Sequence, residues 1–145
     1  RTNYAGMEYL NNEFRAKEFK GFELLKDDWN PRGGSLHLDC AFQPIGRGAV
    51  IAPHLFKHQK DVQWLKAFFG EENMYECDAY EAYDLNTNFL SVSPNDIILP
   101  ASATKLDQWL VKQGYTTHLV NYNEIAKMGG LLRCSTMPLQ RAYDE

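Results

Sequence analysis

Cys134 stands near the end of the chain, in the run Gly129-Gly130-Leu131-Leu132-Arg133-Cys134-Ser135-Thr136-Met137-Pro138-Leu139-Gln140-Arg141. A glycine pair lets the backbone take positive φ and come close to another group. Leu131-Leu132 reads as the start of a short buried strand that would hold the thiol on a rigid support. Cysteine is also among the most buried residue types, so a small core residue is the competing reading. Far upstream, His37 and Asp39 lie two apart in the alternating segment Leu36-His37-Leu38-Asp39-Cys40-Ala41-Phe42-Gln43-Pro44-Ile45. A strand period would send both side chains out of one face, with Leu36, Leu38, Cys40 and Phe42 out of the other. His-x-Asp fits a solvated strand face, part of a metal site, or an acid/base group with its carboxylate. As metal ligands the pair lacks a clear third donor, because His54 and His58 fall on a different segment and no CxxC is present. A Cys nucleophile, a His acid/base and a carboxylate form a set for covalent catalysis. A thiolate becomes available near neutral pH beside an imidazolium or a cationic substrate.

These residues need a scaffold. A chain of 145 residues is the size of one domain with a real core. Its 44% hydrophobic and 23% charged content is globular, which argues against disorder. A net charge of -4, without a Lys/Arg cluster, argues against a nucleic-acid partner. No apolar run reaches the ~18–20 residues that span a bilayer, and no signal peptide opens the chain, so no membrane partner is expected. Cys40, Cys77 and Cys134 are odd in number, which fits reduced thiols and a cytoplasmic setting.

Periodicity predicts a helix from Tyr4 to Phe19 and a strand over residues 22–26. A turn-rich loop holding Trp29 follows, then a hairpin of residues 36–45 and 49–52 about Gly46-Arg47-Gly48. A helix over 58–69 and a strand at 74–77 complete a first unit. Beyond an acidic, aromatic loop at 78–86, the order recurs: strand 88–93, turn, strand 97–100, helix 104–113, strand 117–120. A short helix at 124–128 leads to the Cys134 strand. Strand–strand–helix–strand thus occurs twice, about 50 residues apart, as in repeat architectures. Two such units and a leading helix read as part of a larger ring. Cys40 and Cys77 are expected in the core, with Trp64 and Trp109. His54, His58 and His118 are expected at surface or satisfied positions.

The two motifs in this order, His37-x-Asp39 and Arg133-Cys134-x-Thr136-x-Pro138-Leu139, resemble the guanidine-modifying enzyme superfamily. It comprises arginine deiminases, dimethylarginine dimethylaminohydrolases and amidinotransferases. The opening Arg1-Thr2-Asn3 with Gly6 also resembles the dimethylarginine hydrolases, whereas Asp39 tilts towards the deiminases and amidinotransferases. The resemblance implies an α/β fold of repeated units, a partial five-bladed α/β propeller (pentein). Residues 1–145 would be the C-terminal half of one catalytic domain, its N-terminal portion absent and the chain a fragment or nicked product. By the same resemblance Cys134 is the nucleophile, and His37 protonates the leaving amine and then activates water. Asp39 binds the guanidinium, Arg1 meets the substrate carboxylate, and Asn88 lies at the substrate. No metal or organic cofactor is implied. The implied partners are a small guanidino substrate and the N-terminal half of the same enzyme, with a homo-oligomer open. Hydrolysis of arginine or a methylated derivative is the leading activity; transfer of the amidino group to an amine and non-catalytic arginine binding are the alternatives.

Overall fold

The computed structural model describes residues 2–14, 19–30 and 32–140. Asn3 caps the first helix, α1 (Tyr4–Glu13), its side-chain oxygen accepting from the Gly6 N–H at 2.9 Å. None of α1 is buried, and Tyr4, Tyr9 and Phe14 stand exposed. The expected strand at 22–26 is reduced to one antiparallel bridge, Leu24 to Phe56.

Two three-stranded sheets follow, built alike. In the first, β1 (Phe42–Ile45) and β2 (Gly48–Ile51) form an antiparallel hairpin from Phe42↔Ile51 to Ile45↔Gly48. Helix α2 (Gln59–Phe69) then crosses over to β3 (Met74–Glu76), which lies parallel to β2. In the second, β4 (Leu90–Ser91) pairs antiparallel with β5 (Asp96–Pro100). Helix α4 (Thr104–Lys112) leads to β6 (Thr116–Val120), parallel to β5. Parallel neighbours need such a crossover, whereas the antiparallel pairs need only a turn. The twofold repeat expected from the sequence is therefore present.

One apolar core serves both units. Val50, Ile51, Val62 and Leu65 of the first pack in one cluster with Ile97, Leu99, Leu106 and Leu110 of the second. The helical spacing of Val62–Leu65 and Leu106–Leu110 turns those pairs inward, which is where most helix stability comes from. Tyr75 and Trp109 meet across the units at 5.5 Å, and the Lys105 ammonium bonds Asp78 at 3.1 Å. Trp64 departs from expectation: it is partly solvent-facing and stacks on the exposed Phe68 at 5.2 Å.

Three further expectations are corrected. Residues 36–40 are not strand: the hairpin ladder ends at Phe42↔Ile51, and beyond Ala52 the returning chain enters a 3-10 turn at Pro53–Leu55, with no N–H on Pro53. Left without a partner, Leu38–Cys40 folds into its own 3-10 turn, Ala41 N–H donating to the Leu38 carbonyl at 2.9 Å. The loop at 78–86 contains α3 (Ala79–Tyr83), set by a capping box in which Asp78 accepts from the Tyr80 and Glu81 amides. The sequence signal was Asp78-x-x-Glu81. After α5 (Asn123–Ala126), residues 132–135 form a turn in place of the expected strand.

The closest backbone approach in the first sheet is at Gly48, where any Cβ would overlap the Asn73 carbonyl oxygen beside β3. Gly48→Ala should therefore destabilise the fold by about 1–3 kcal/mol, the usual cost of overpacking. Urea denaturation measures it; an unchanged midpoint would mean that β2 and β3 do not approach as described.

Candidate active site

The site is built from three segments far apart in sequence, joined at one buried amide. Asn88 precedes β4, is fully buried, and lies beside Phe89, which is buried as well. Its Oδ1 accepts from the Leu131 N–H at 3.1 Å and from the Cys134 N–H at 3.2 Å. Its main-chain carbonyl accepts from the Arg133 N–H at 3.1 Å. On the other side, its Nδ2 donates to the Asp39 carbonyl at 3.4 Å and reaches the Cys40 sulfur at 4.0 Å. This explains why the chain around Cys134 is not a strand: a side-chain oxygen takes the N–H groups that a ladder would have paired. The Ser135 N–H then bonds back to the Leu131 carbonyl at 3.1 Å, with the Ser135 hydroxyl on the same oxygen at 2.6 Å. The Thr136 hydroxyl closes the next carbonyl, that of Leu132, at 2.8 Å.

The glycine pair has two separate duties. Gly129, at φ 85°, makes the turn after α5. At Gly130 an added Cβ would stand 2.9 Å from the Cys134 Cβ, so the residue is small to let the cysteine fold back over it.

Cys134 is exposed, and its Sγ lies 3.8 Å from Asp39 Oδ2. Asp39 Oδ1 is 3.8 Å from the Cys40 Sγ. Cys40 is half-buried at the floor of the site and not in the core as the alternation suggested, because its segment is a 3-10 turn. Burial chiefly, with the Asp39 carboxylate and Cys134 beside it, pushes the Cys40 thiol up to about 12. Cys77 is buried, as expected, and burial pushes its thiol up strongly too. One donor atom each from Asp39, Cys40 and Cys134 lies within 4.8 Å of the others. Two sulfurs and a carboxylate are a donor set for a thiophilic divalent ion. It shares only Asp39 with the donors weighed in the sequence.

His37 lies at the N-terminal end of the same 3-10 turn as Asp39 and is exposed. Its carbonyl accepts from the Ser35 hydroxyl at 2.9 Å. Among the described residues its imidazole hydrogen-bonds neither Cys134 nor Asp39. The structure thus gathers Cys134, Asp39 and Asn88, and leaves His37 at the rim. Arg1 lies outside the described residues. Asn88, expected at the substrate, has its amide engaged with backbone, which makes it a positioning residue in this arrangement. Sequence reading missed Cys40 as a site residue; its adjacency to Asp39 was the available signal. Trp29, in the loop before His37, is 96% exposed and walls nothing among the described residues. A cavity of about 610 Å³ adjoins the floor, lined by Cys40, Leu131, Tyr83, Asp84 and Lys127 among others. Of the remaining histidines, His58 pairs with Glu23 at 3.1 Å and His118 with Asp96 at 3.5 Å. No helix among the described residues is long and apolar enough to cross a membrane.

No family model matches the chain. Over 106 residues it is 31% identical to the uncharacterised protein YkgA of Bacillus subtilis (strain 168), covering 73% of this chain and 36% of that protein. Among solved structures it is similar to the N-terminal domain of ArgZ, a cyanobacterial arginine dihydrolase bound to product. The TM-score is 0.78 at 20% identity, over 92% of this chain and 46% of that one. A variant of the same domain, covalently bound to a reaction intermediate, matches over the same shares with a TM-score of 0.77 and 19% identity. SxtG, an amidinotransferase from Microseira wollei, matches with a TM-score of 0.75 and 15% identity, over 99% of this chain and 40% of that one. The chain therefore spans about a third of the curated relative and under half of these solved chains. At these identities the structural likeness establishes the fold, an α/β fold of strand–strand–helix units.

Removing the Asn88 amide leaves two N–H groups, those of Leu131 and Cys134, without their acceptor. Each orphaned group costs about 1–3 kcal/mol if it stays buried. Asn88→Ala should therefore release the 131–135 turn before it unfolds the sheets. Hydrogen exchange at the Leu131 and Cys134 amides should accelerate by roughly 10-fold or more, at ~1.4 kcal/mol per decade. Unchanged protection would show that other contacts hold the turn.

Proposed function

We propose, for a chain that has the fold of the guanidine-modifying enzyme superfamily, that it carries the nucleophile side of an active site for guanidino C–N bond cleavage. The single observation behind this reading is the 3.8 Å approach of Cys134 Sγ to Asp39 Oδ2, 95 residues away in sequence. The pairing makes sense once a planar cation lies between them: the carboxylate accepts two guanidinium N–H bonds and sets the central carbon against the sulfur.

In the proposed reaction the Cys134 thiolate attacks the guanidinium carbon of arginine or a methylated derivative. The carbon becomes tetrahedral, and one C–N bond breaks as the departing nitrogen takes a proton from His37. This leaves an amidino thioether on Cys134. Water, losing a proton to His37, adds to the same carbon, and the C–S bond breaks to return the thiolate and a ureido product. His37 is exposed, and it caps the 3-10 turn that bears Asp39. Substrate binding at Asp39 would draw the imidazole in, as acid–base contacts often tighten only in the complex. Arg1 would take the substrate carboxylate. An N-terminal portion of the same enzyme would complete the ring to which the two repeated units belong.

A second reading is transfer of the amidino group to an amine, favoured by the likeness to SxtG over almost the whole chain. The chemistry to the thioether is identical; only the acceptor differs. Product analysis with arginine alone, and with arginine plus glycine, separates a ureido product from a transferred amidine.

Cys134→Ala should abolish turnover, by roughly 10⁴-fold or more, while leaving substrate binding. Asp39→Asn should raise KM by about 10–100-fold, the loss of a charge-assisted hydrogen bond at ~1.5–3 kcal/mol. His37→Ala should slow turnover by about 10²–10⁴-fold. Intact mass spectrometry of the native protein with arginine or dimethylarginine should find an amidino adduct on Cys134. Turnover retained by Cys134→Ala would exclude the covalent route, and binding without any turnover or adduct would make the protein an arginine-binding subunit.

A further inference from the structure

Cys40 has no role in the reaction just described, yet its sulfur lies within 4.8 Å of the Cys134 sulfur, with one oxygen of Asp39 3.8 Å from each. We propose that Cys40 and Cys134 are a redox pair, which a peroxide converts to a disulfide across the floor of the site. The blocking effect of that bond rests on the reading of Cys134 as nucleophile; the bond itself does not.

The geometry permits it. A disulfide needs sulfurs about 2.05 Å apart, and changing one staggered χ1 rotamer moves a sulfur by roughly 3 Å. Neither cysteine is locked in a ladder or a long helix: Cys40 ends the 3-10 turn Leu38–Cys40, and Cys134 lies in the turn after Gly130. Both turns hang on the Asn88 side chain, which keeps the sulfurs facing one another.

The two positions divide the chemistry. Cys134 is exposed and meets the oxidant first. Its sulfur attacks one peroxide oxygen as the thiol proton passes to the departing hydroxyl, the O–O bond breaks, and two electrons pass to the peroxide. Cys134 becomes a sulfenic acid and one water leaves. Cys40, half-buried, is shielded from the peroxide itself. It attacks the Cys134 sulfur as its proton passes by way of Asp39 to the departing hydroxyl; the S–S bond forms, the S–O bond breaks and a second water leaves. Two thiols and one hydrogen peroxide thus give one disulfide and two waters. A thiol reductant reverses it, which protects the exposed cysteine from irreversible sulfinic and sulfonic oxidation. Cys77, buried and outside this cluster among the described residues, takes no part.

The test uses the purified native protein, exposed to hydrogen peroxide, blocked with maleimide and digested without reductant. The expected result is a linked pair of peptides containing Cys40 and Cys134, lighter by two hydrogens than their sum and separated by dithiothreitol. In Cys40→Ser the link should vanish, and Cys134 should instead gain two or three oxygens at least 10-fold faster than in the wild-type protein, whereas Cys77→Ser should behave as wild type. Cys134 gaining oxygens in the wild-type protein while Cys40 remains open to maleimide overturns the proposal. A link in a protein without guanidino chemistry would instead overturn the functional reading and leave the redox pair standing.

Discussion

The arrangement depends on one buried side-chain amide. Asn88 offers an acceptor to two backbone N–H groups on one side, Leu131 and Cys134, and a donor to the Asp39 carbonyl on the other. A carbonyl and an NH₂ on one rigid plane can serve both segments at once, which no smaller polar side chain does. Its burial raises the cost of leaving any of these groups unmatched, so the three segments are held in a single register. The position of Cys134 relative to Asp39 follows from this bonding rather than from a sheet.

The core explains why that amide stays put. Phe89, adjacent in sequence, is fully buried in the cluster shared by the two sheets, and β4 begins one residue later. The segment 86–88 carries three polar residues into this apolar setting. Burying polar groups costs stability unless they are bonded. Asn88 is bonded on every side, whereas Asn86 Oδ1 and Thr87 Oγ1 have no partner among the described residues. Such a polar run would be poor design for a core alone and is intelligible beside a site.

The cysteine, the carboxylate and the glycines act as a unit around that amide. Gly130 lets Cys134 fold back; the 3-10 turn brings Asp39 and Cys40 forward together; burial shields Cys40 while Cys134 stays open to solvent. The two sulfurs and the Asp39 carboxylate thus lie within 4.8 Å of one another.

The sequence by itself determined the repeat, the helices and the chemically relevant residue types. Apolar spacing in α2 and α4, the Gly46 turn and the recurrence of strand–strand–helix–strand were legible because they are local periodicities that burial then reinforces. Asp78-x-x-Glu81 was legible in principle as a capping box and marked α3. Alternation at Leu36–Phe42 misled, because a period of two says nothing about whether a partner strand exists to pair with it. Leu131-Leu132 misled for the same reason: burial was correct, but the N–H groups found a side chain instead of a ladder. Only the tertiary structure decided that Asp39, Cys40 and Cys134 meet and that His37 stands at the rim. Those relations join residues 95 apart in sequence through hydrogen bonds to Asn88, and no local pattern encodes a contact of that separation.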